Sequence, residues 1–173
     1  MIRTSSLVII FSLLAFTGSN SFAAESDQDF IELVNGFELI NNTGTDKYQD
    51  FIVIQFDEFD WDENSNELQQ KVIYGDPSKE GLYILRARFP AGVTSIPHTH
   101  NQDRFVTVIE GNWYAGTDAS HDINRTTKIP AGGFMIHPAG AVHYDGANHE
   151  GPVVVEIRGM GPVVTETVPI TSE

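Results

Sequence analysis

The sequence predicts an all-β sandwich or barrel, on three observations. From residue 71 onward, short runs rich in Val, Ile, Tyr and Phe follow one another, turns containing Pro or Gly separate them, and no segment sustains a helical period. The runs are Lys71-Val72-Ile73-Tyr74, Leu82 to Phe89, Phe105 to Ile109, Gly111 to Ala115, Gly133 to Ile136 and Val153 to Ile157. The breaks between them are Gly75-Asp76-Pro77, Pro90-Ala91-Gly92, Glu110-Gly111, Pro130-Ala131-Gly132-Gly133, Pro138-Ala139-Gly140 and Gly151-Pro152. In the second run Tyr83, Leu85, Ala87 and Phe89 share one face and Arg86 and Arg88 the other, the alternation of a strand with one buried side. Pro-Ala-Gly recurs at 90, 130 and 138 as turn chemistry rather than as an internal repeat.

The segment before this array divides in two. Residues 1–23 hold one Arg, an apolar run from Leu7 to Phe16, and a small-x-small site ending at Ala23, the pattern of a cleavable signal peptide. A membrane span needs about 20 apolar residues, and this run stops at Thr17-Gly18. The expected mature protein is periplasmic or secreted, cut after Ala23, and free of the membrane once cleaved. Residues 24–70 read as an N-terminal extension with one or more edge strands, among them Phe51 to Phe56. The acidic stretch Asp57 to Asn64 mimics the start of a calcium loop, but Ser65 stands where the turn glycine belongs and Lys71 where the closing Glu belongs. It is expected to be a solvated loop.

Composition narrows the function. Among 173 residues, Asp+Glu 24 outnumber Lys+Arg 10, for a net charge of -14, which becomes -15 once the single Arg of residues 1–23 is removed. Such a surface repels phosphate backbones and anionic lipids, so no nucleic-acid or membrane partner is expected. The absence of Cys excludes thiol chemistry, Fe–S clusters and Cys-type zinc sites. A mature chain of 150 residues buries enough apolar surface to fold as one domain without disulfides.

The histidines carry the chemistry. His98-Thr99-His100 places two imidazoles on one face of a strand, about 6.5 Å apart along the backbone, close enough to converge on an ion. His143 follows a Pro138-Ala139-Gly140 turn on a second glycine-bounded strand pair. His137 reads as a strand-end surface residue, and His121 and His149 as exposed loop residues. Trp113, Tyr114, Phe105 and Phe134 read as core, with the barrel mouth as the other reading.

This constellation resembles the cupin superfamily. The first cupin motif, G-x5-H-x-H-x3,4-E-x6-G, lines up with Gly92, His98, His100 and Gly111, with Arg104 where the Glu stands. The second, G-x5-P-x-G-x2-H-x3-N, lines up with Gly132, Pro138, Gly140 and His143, with Ala147 where the Asn stands. The span from Gly75 to Pro162 is also similar to the ChrR-like cupin group in its Gly-Asp-Pro opening, its Val-Thr-Val-Ile-x-Gly strand and its closing Gly-Met-Gly-Pro. The resemblance implies a cupin-type double-stranded β-helix, the jelly-roll barrel, over residues 71–173, and a homodimer paired through edge strands.

It also implies one of two states: one divalent metal ion (Fe, Zn or Mn) held by His98, His100 and His143 alone, or a site that has lost its metal with the Glu. Arg104 cannot replace the Glu as a ligand, because guanidinium stays protonated and has no lone pair to donate. It has two readings: an inward anchor for a substrate anion, or a surface residue paired with an acid. Asp103 is the nearest carboxylate, as a displaced ligand or as Arg104's partner. Tyr144 is a candidate catalytic residue beside a structural reading, and Asp145 could orient a ligating imidazole. The first function expected is a mononuclear metal enzyme acting on a small organic acid, a dioxygenase-type oxidoreductase first, with isomerase or lyase chemistry at the same centre as the other reactions it would serve. The alternative is a non-catalytic cupin module that binds a small anionic ligand or a metal ion.

Overall fold

The computed structural model describes residues 59–171. The expected signal peptide and the run Phe51 to Phe56 lie outside the described residues. Among the described residues ten strands form in order: β1 (Gln69–Tyr74), β2 (Gly81–Phe89), β3 (His98–His100), β4 (Arg104–Glu110), β5 (Asn112–Gly116), β6 (Thr127–Pro130), β7 (Phe134–His137), β8 (Tyr144–Gly146), β9 (Val153–Gly161) and β10 (Thr165–Thr167). A 3-10 turn, Ile123–Arg125, stands between β5 and β6. Among the described residues no helix is long and apolar enough to cross a membrane.

One wall of the barrel is the five-stranded sheet β1-β2-β9-β4-β7. The facing wall is built from two smaller sheets, β10-β3 and β6-β5-β8, joined by bridges between Thr94 and Gly146 and between His98 and His143. Side chains alternating inward from both walls make the core: Tyr83, Leu85, Ala87 and Phe89 from β2 meet Val106, Val108, Trp113, Val153 and Val155. The alternation expected of the second run is therefore the observed one. The turn from β4 to β5 needs Gly111, whose φ is 76° and whose Cβ, if present, would lie 2.3 Å from the Pro152 carbonyl oxygen.

The outer face of the large sheet departs from expectation. Arg88 is buried and paired with Glu63, and the Arg86 guanidinium stands 4.3 Å from the Phe59 ring centre. The acidic stretch is thus only partly a solvated loop, since its Phe and one of its Glu side chains dock on the sheet. Phe105 and Phe134, expected in the core, are exposed on that same face.

Candidate metal centre

Backbone pairing sets the histidines against one another. His98 and His143 exchange both main-chain hydrogen bonds, at 2.9 and 3.0 Å, which fixes the two residues opposite each other across the facing wall. His100 lies two residues along β3 on the same side, so the three rings gather with centres 4.3 to 5.2 Å apart. His100 and His143 are buried and His98 is half-buried.

Each ring is aimed by a hydrogen bond at its outer nitrogen. His98 Nδ1 lies 2.7 Å from the Ile96 carbonyl oxygen, His143 Nδ1 3.0 Å from that of Ala141, and His100 Nδ1 3.0 Å from Thr165 Oγ1 on β10. A carbonyl only accepts, so Nδ1 carries the hydrogen in His98 and His143, and in the neutral ring Nε2 is left with its lone pair. Burial, with the Arg104 charge adding to it, holds all three below the usual imidazole range, His100 at about 3 and His143 at about 4. The rings are accordingly neutral at pH 7.

Arg104 opens β4 and points into the barrel. Its Nε donates to Tyr83 Oη at 3.0 Å and its Nη1 to His100 Nε2 at 2.8 Å. Gly159 makes room for this arrangement, because a Cβ there would lie 2.6 Å from Tyr83 Oη. Among the described residues no carboxylate forms an ion pair with Arg104; its direct partners are Tyr83 and His100, and the Asp145 carboxyl feels its charge without contact.

Comparison with solved structures decides the architecture. The polyketide cyclase RemF from Streptomyces resistomycificus superposes with a TM-score of 0.52 at 15% identity, covering 61% of this chain and 74% of its own. A cupin-like protein from Thermotoga maritima gives 0.51 at 16%, covering 63% and 81%. A cupin 2 conserved barrel protein from Leptotrichia buccalis gives 0.50 at 18%, covering 65% of this chain and 48% of its own. The fold is the cupin fold. No protein-family model matches the sequence, and no curated protein matches it.

The cupin barrel suits a cation at this place. His98 Nε2 and His100 Nε2 are 3.1 Å apart. Arg104 Nη1 can only donate, so His100 Nε2 accepts from it, and the His98 and His100 lone pairs face each other with no hydrogen between them. An ion bound about 2.0–2.1 Å from two imidazole nitrogens spans about 2.9–3.4 Å between them, which matches the spacing. His143 Nε2 is buried without a hydrogen-bond partner, a second feature that fits a cation. The ligand atoms of His98, His100 and His143 all lie within 4.8 Å of one another.

Several expected residues stand elsewhere in the cupin barrel. Tyr144 alternates to the side opposite His143; its hydroxyl donates to the Asp122 carbonyl at 2.8 Å and its ring packs on Gly116, so the structure does not bring it to the triad. Asp103 is exposed and accepts the Ala139 N–H at 2.7 Å, which makes it a clamp on the Pro138-Ala139-Gly140 turn rather than a ligand or a partner of Arg104. Asp145 does not take the second N–H of His143, which goes to Ala141; its Oδ2 faces Nε2 at 3.9 Å, and burial pushes its carboxyl up to about 7.

His137 corrects the reading of a strand-end surface residue. It is buried, pairs across strands with Arg104 and puts its ring centre 3.9 Å from that of His143. The sequence offered no signal for this, since only the β4–β7 register brings the two together. His121 is half-buried, 3.0 Å from Thr94 Oγ1, whereas His149 is exposed as expected.

Proposed function

We propose that this protein is an exported, mononuclear metal-dependent cupin acting on a small organic anion, with dioxygenase-type oxidation as its first candidate reaction. One observation carries the reading: three neutral imidazoles turn their Nε2 atoms toward one point beside a guanidinium that has no described carboxylate partner. His98, His100 and His143 would hold the ion, for which Fe, Zn and Mn are the candidates. When bound, it supplies Lewis acidity and open positions for substrate or O2.

The chain's own residues do the rest. Tyr83 holds Arg104 by Nε, which leaves Nη1 and Nη2 as the edge that meets a carboxylate in two parallel hydrogen bonds. An anion there draws Nη1 away from His100 Nε2 and relieves the repulsion between guanidinium and ion. Core side chains such as Val106, Trp113 and Ile157 form walls that exclude bulk water and strengthen both interactions.

RemF, a polyketide cyclase, shares the fold, which supports an enzymatic use of such a barrel but lends no substrate. The second reading, a sensor or binding protein of the kind the ChrR-like resemblance implies, is favoured by Arg104 itself, which stands where a proton-transferring carboxylate would. The two separate in one experiment on the metal-loaded protein, in which O2 consumption and substrate loss are followed across small carboxylates. Turnover supports the enzyme, whereas ligand-dependent melting shifts without turnover support the binding module. We further propose that the protein works in the periplasm and as a homodimer.

A further inference from the structure

A second set of ligand atoms lies beside the outer triad. His137 ends β7, Asp145 lies on β8, and one ligand atom from each lies within 4.8 Å of the other and of a ligand atom of His143. All three residues are buried, His137 at 4% exposure and His143 at 3%. The Nε2 atoms of both histidines have no hydrogen-bond partner, in contrast to His100 Nε2, which already meets Arg104 and His98. Trp113 Nε1–H points at the Asp145 carboxylate and favours its charged form. Buried polar atoms in native folds are paired, so two orphaned imidazole nitrogens around a buried carboxylate mark a place where something electrophilic belongs.

The register explains how the set arose. Arg104 occupies the position where the cupin motif carries its Glu, and its cross-strand neighbour on β7 is His137. The donor lost from β4 is thus answered by an imidazole one strand over and by a carboxylate from β8. Two nitrogens and one oxygen form a donor set suited to a divalent first-row ion. The carboxylate also offsets the ion's charge, which the outer triad beside Arg104 cannot do.

We propose that His137, His143 and Asp145 form an inner seat for a divalent cation that shares His143 with the outer triad, and that the ion rests there until an anion engages Arg104. His143 Nδ1 is committed to Ala141, so Nε2 is its ligand atom in both sets, and a single lone pair binds a single ion. The chain therefore holds one ion in one seat or the other. The exchange between seats rests on the function proposed above; the inner seat itself does not.

The test uses the mature exported protein, stripped with chelator and titrated with Co(II), with visible absorption as the readout and circular dichroism to confirm folding. The His98→Ala/His100→Ala double variant is expected to bind one Co(II) per chain, and adding Asp145→Asn or His137→Gln is expected to abolish the visible bands. A folded double variant without Co(II) bands overturns the inner seat and leaves the outer triad standing. Two Co(II) per wild-type chain overturn the shared imidazole. Conversely, a His137→Gln/Asp145→Asn variant that binds no Co(II) overturns the outer triad and leaves the inner seat standing. Where the double variant fails to fold, Asp145→Asn alone is read: an altered Co(II) spectrum supports the inner seat, and an unchanged spectrum and affinity overturn it.

Discussion

In the proposed centre Arg104 and a metal ion would compete for one lone pair, that of His100 Nε2, 2.8 Å from the guanidinium. This makes Arg104 the residue whose replacement moves metal and anion binding in opposite directions. Arg104→Glu supplies the oxygen donor that the three imidazoles lack, and it is expected to tighten divalent-ion binding by on the order of tenfold or more, as each factor of ten needs only about 1.4 kcal/mol. The same variant is expected to lose binding of small carboxylates, measured by competition titration and melting shifts; unchanged metal affinity would contradict the competition. Asp145 and the histidines also shape acid stability in the chelated protein. Burial lowers His100 to about 3, His137 to about 2 and His143 to about 4, below the unfolded value of 6.5, so these rings take up protons only on unfolding and stability falls as pH drops below 6.5. Asp145, raised to about 7, is protonated in the folded state and opposes the trend by one proton against three. Urea midpoints are therefore expected to decline from pH 6.5 toward pH 4, and a flat profile would contradict the neutral buried rings.

At the scale of elements, β9 makes the most cross-strand pairing and is only half legible in the sequence. The apolar run Val153 to Ile157 announces a strand, yet β9 continues to Gly161, because β4 pairs with it as far as Gly159 and β2 carries the pairing on to Gly161. Gly159 is kept there by Tyr83, whose hydroxyl would stand 2.6 Å from an added Cβ. Gly159→Ala is expected to cost about 1–3 kcal/mol by overpacking and to loosen Arg104, read as a lower denaturation midpoint together with weaker carboxylate binding. The longer strands and their turns were legible because alternation and Pro-Gly punctuation are local. β6, β8 and β10, three or four residues each and largely polar, exist through their partners and leave no periodic trace. The same division holds in the site. His98, His100 and His143 were visible as motif spacing, whereas the roles of His137 and Asp145 follow from a cross-strand register that no short stretch of sequence encodes.

For the whole molecule, the apolar outer face of the large sheet is the feature that a lone barrel does not explain. Leu82 opposes Met160, and Phe105 opposes Ile136, with exposed Phe134 beside them toward the edge strand β7. The Phe105, Phe134 and Ile136 side chains, exposed together on β4 and the edge strand β7, offer an apolar place for a two-fold pairing. The proposed homodimer is expected to use it, so Phe105→Glu/Ile136→Glu should sediment as a monomer at concentrations where the wild type is a dimer. A wild type that sediments as a monomer would remove the pairing without touching the metal centre. That centre is the claim on which the functional account stands, and both ion seats depend on His143. The most direct measurement is elemental analysis of the protein exported to the periplasm and purified without a His tag, alongside His143→Ala. The account expects close to one divalent ion per chain in the wild type and none in the folded variant. A metal-free wild type whose melting temperature ignores added Fe, Zn and Mn would contradict it, and so would a variant that keeps its ion.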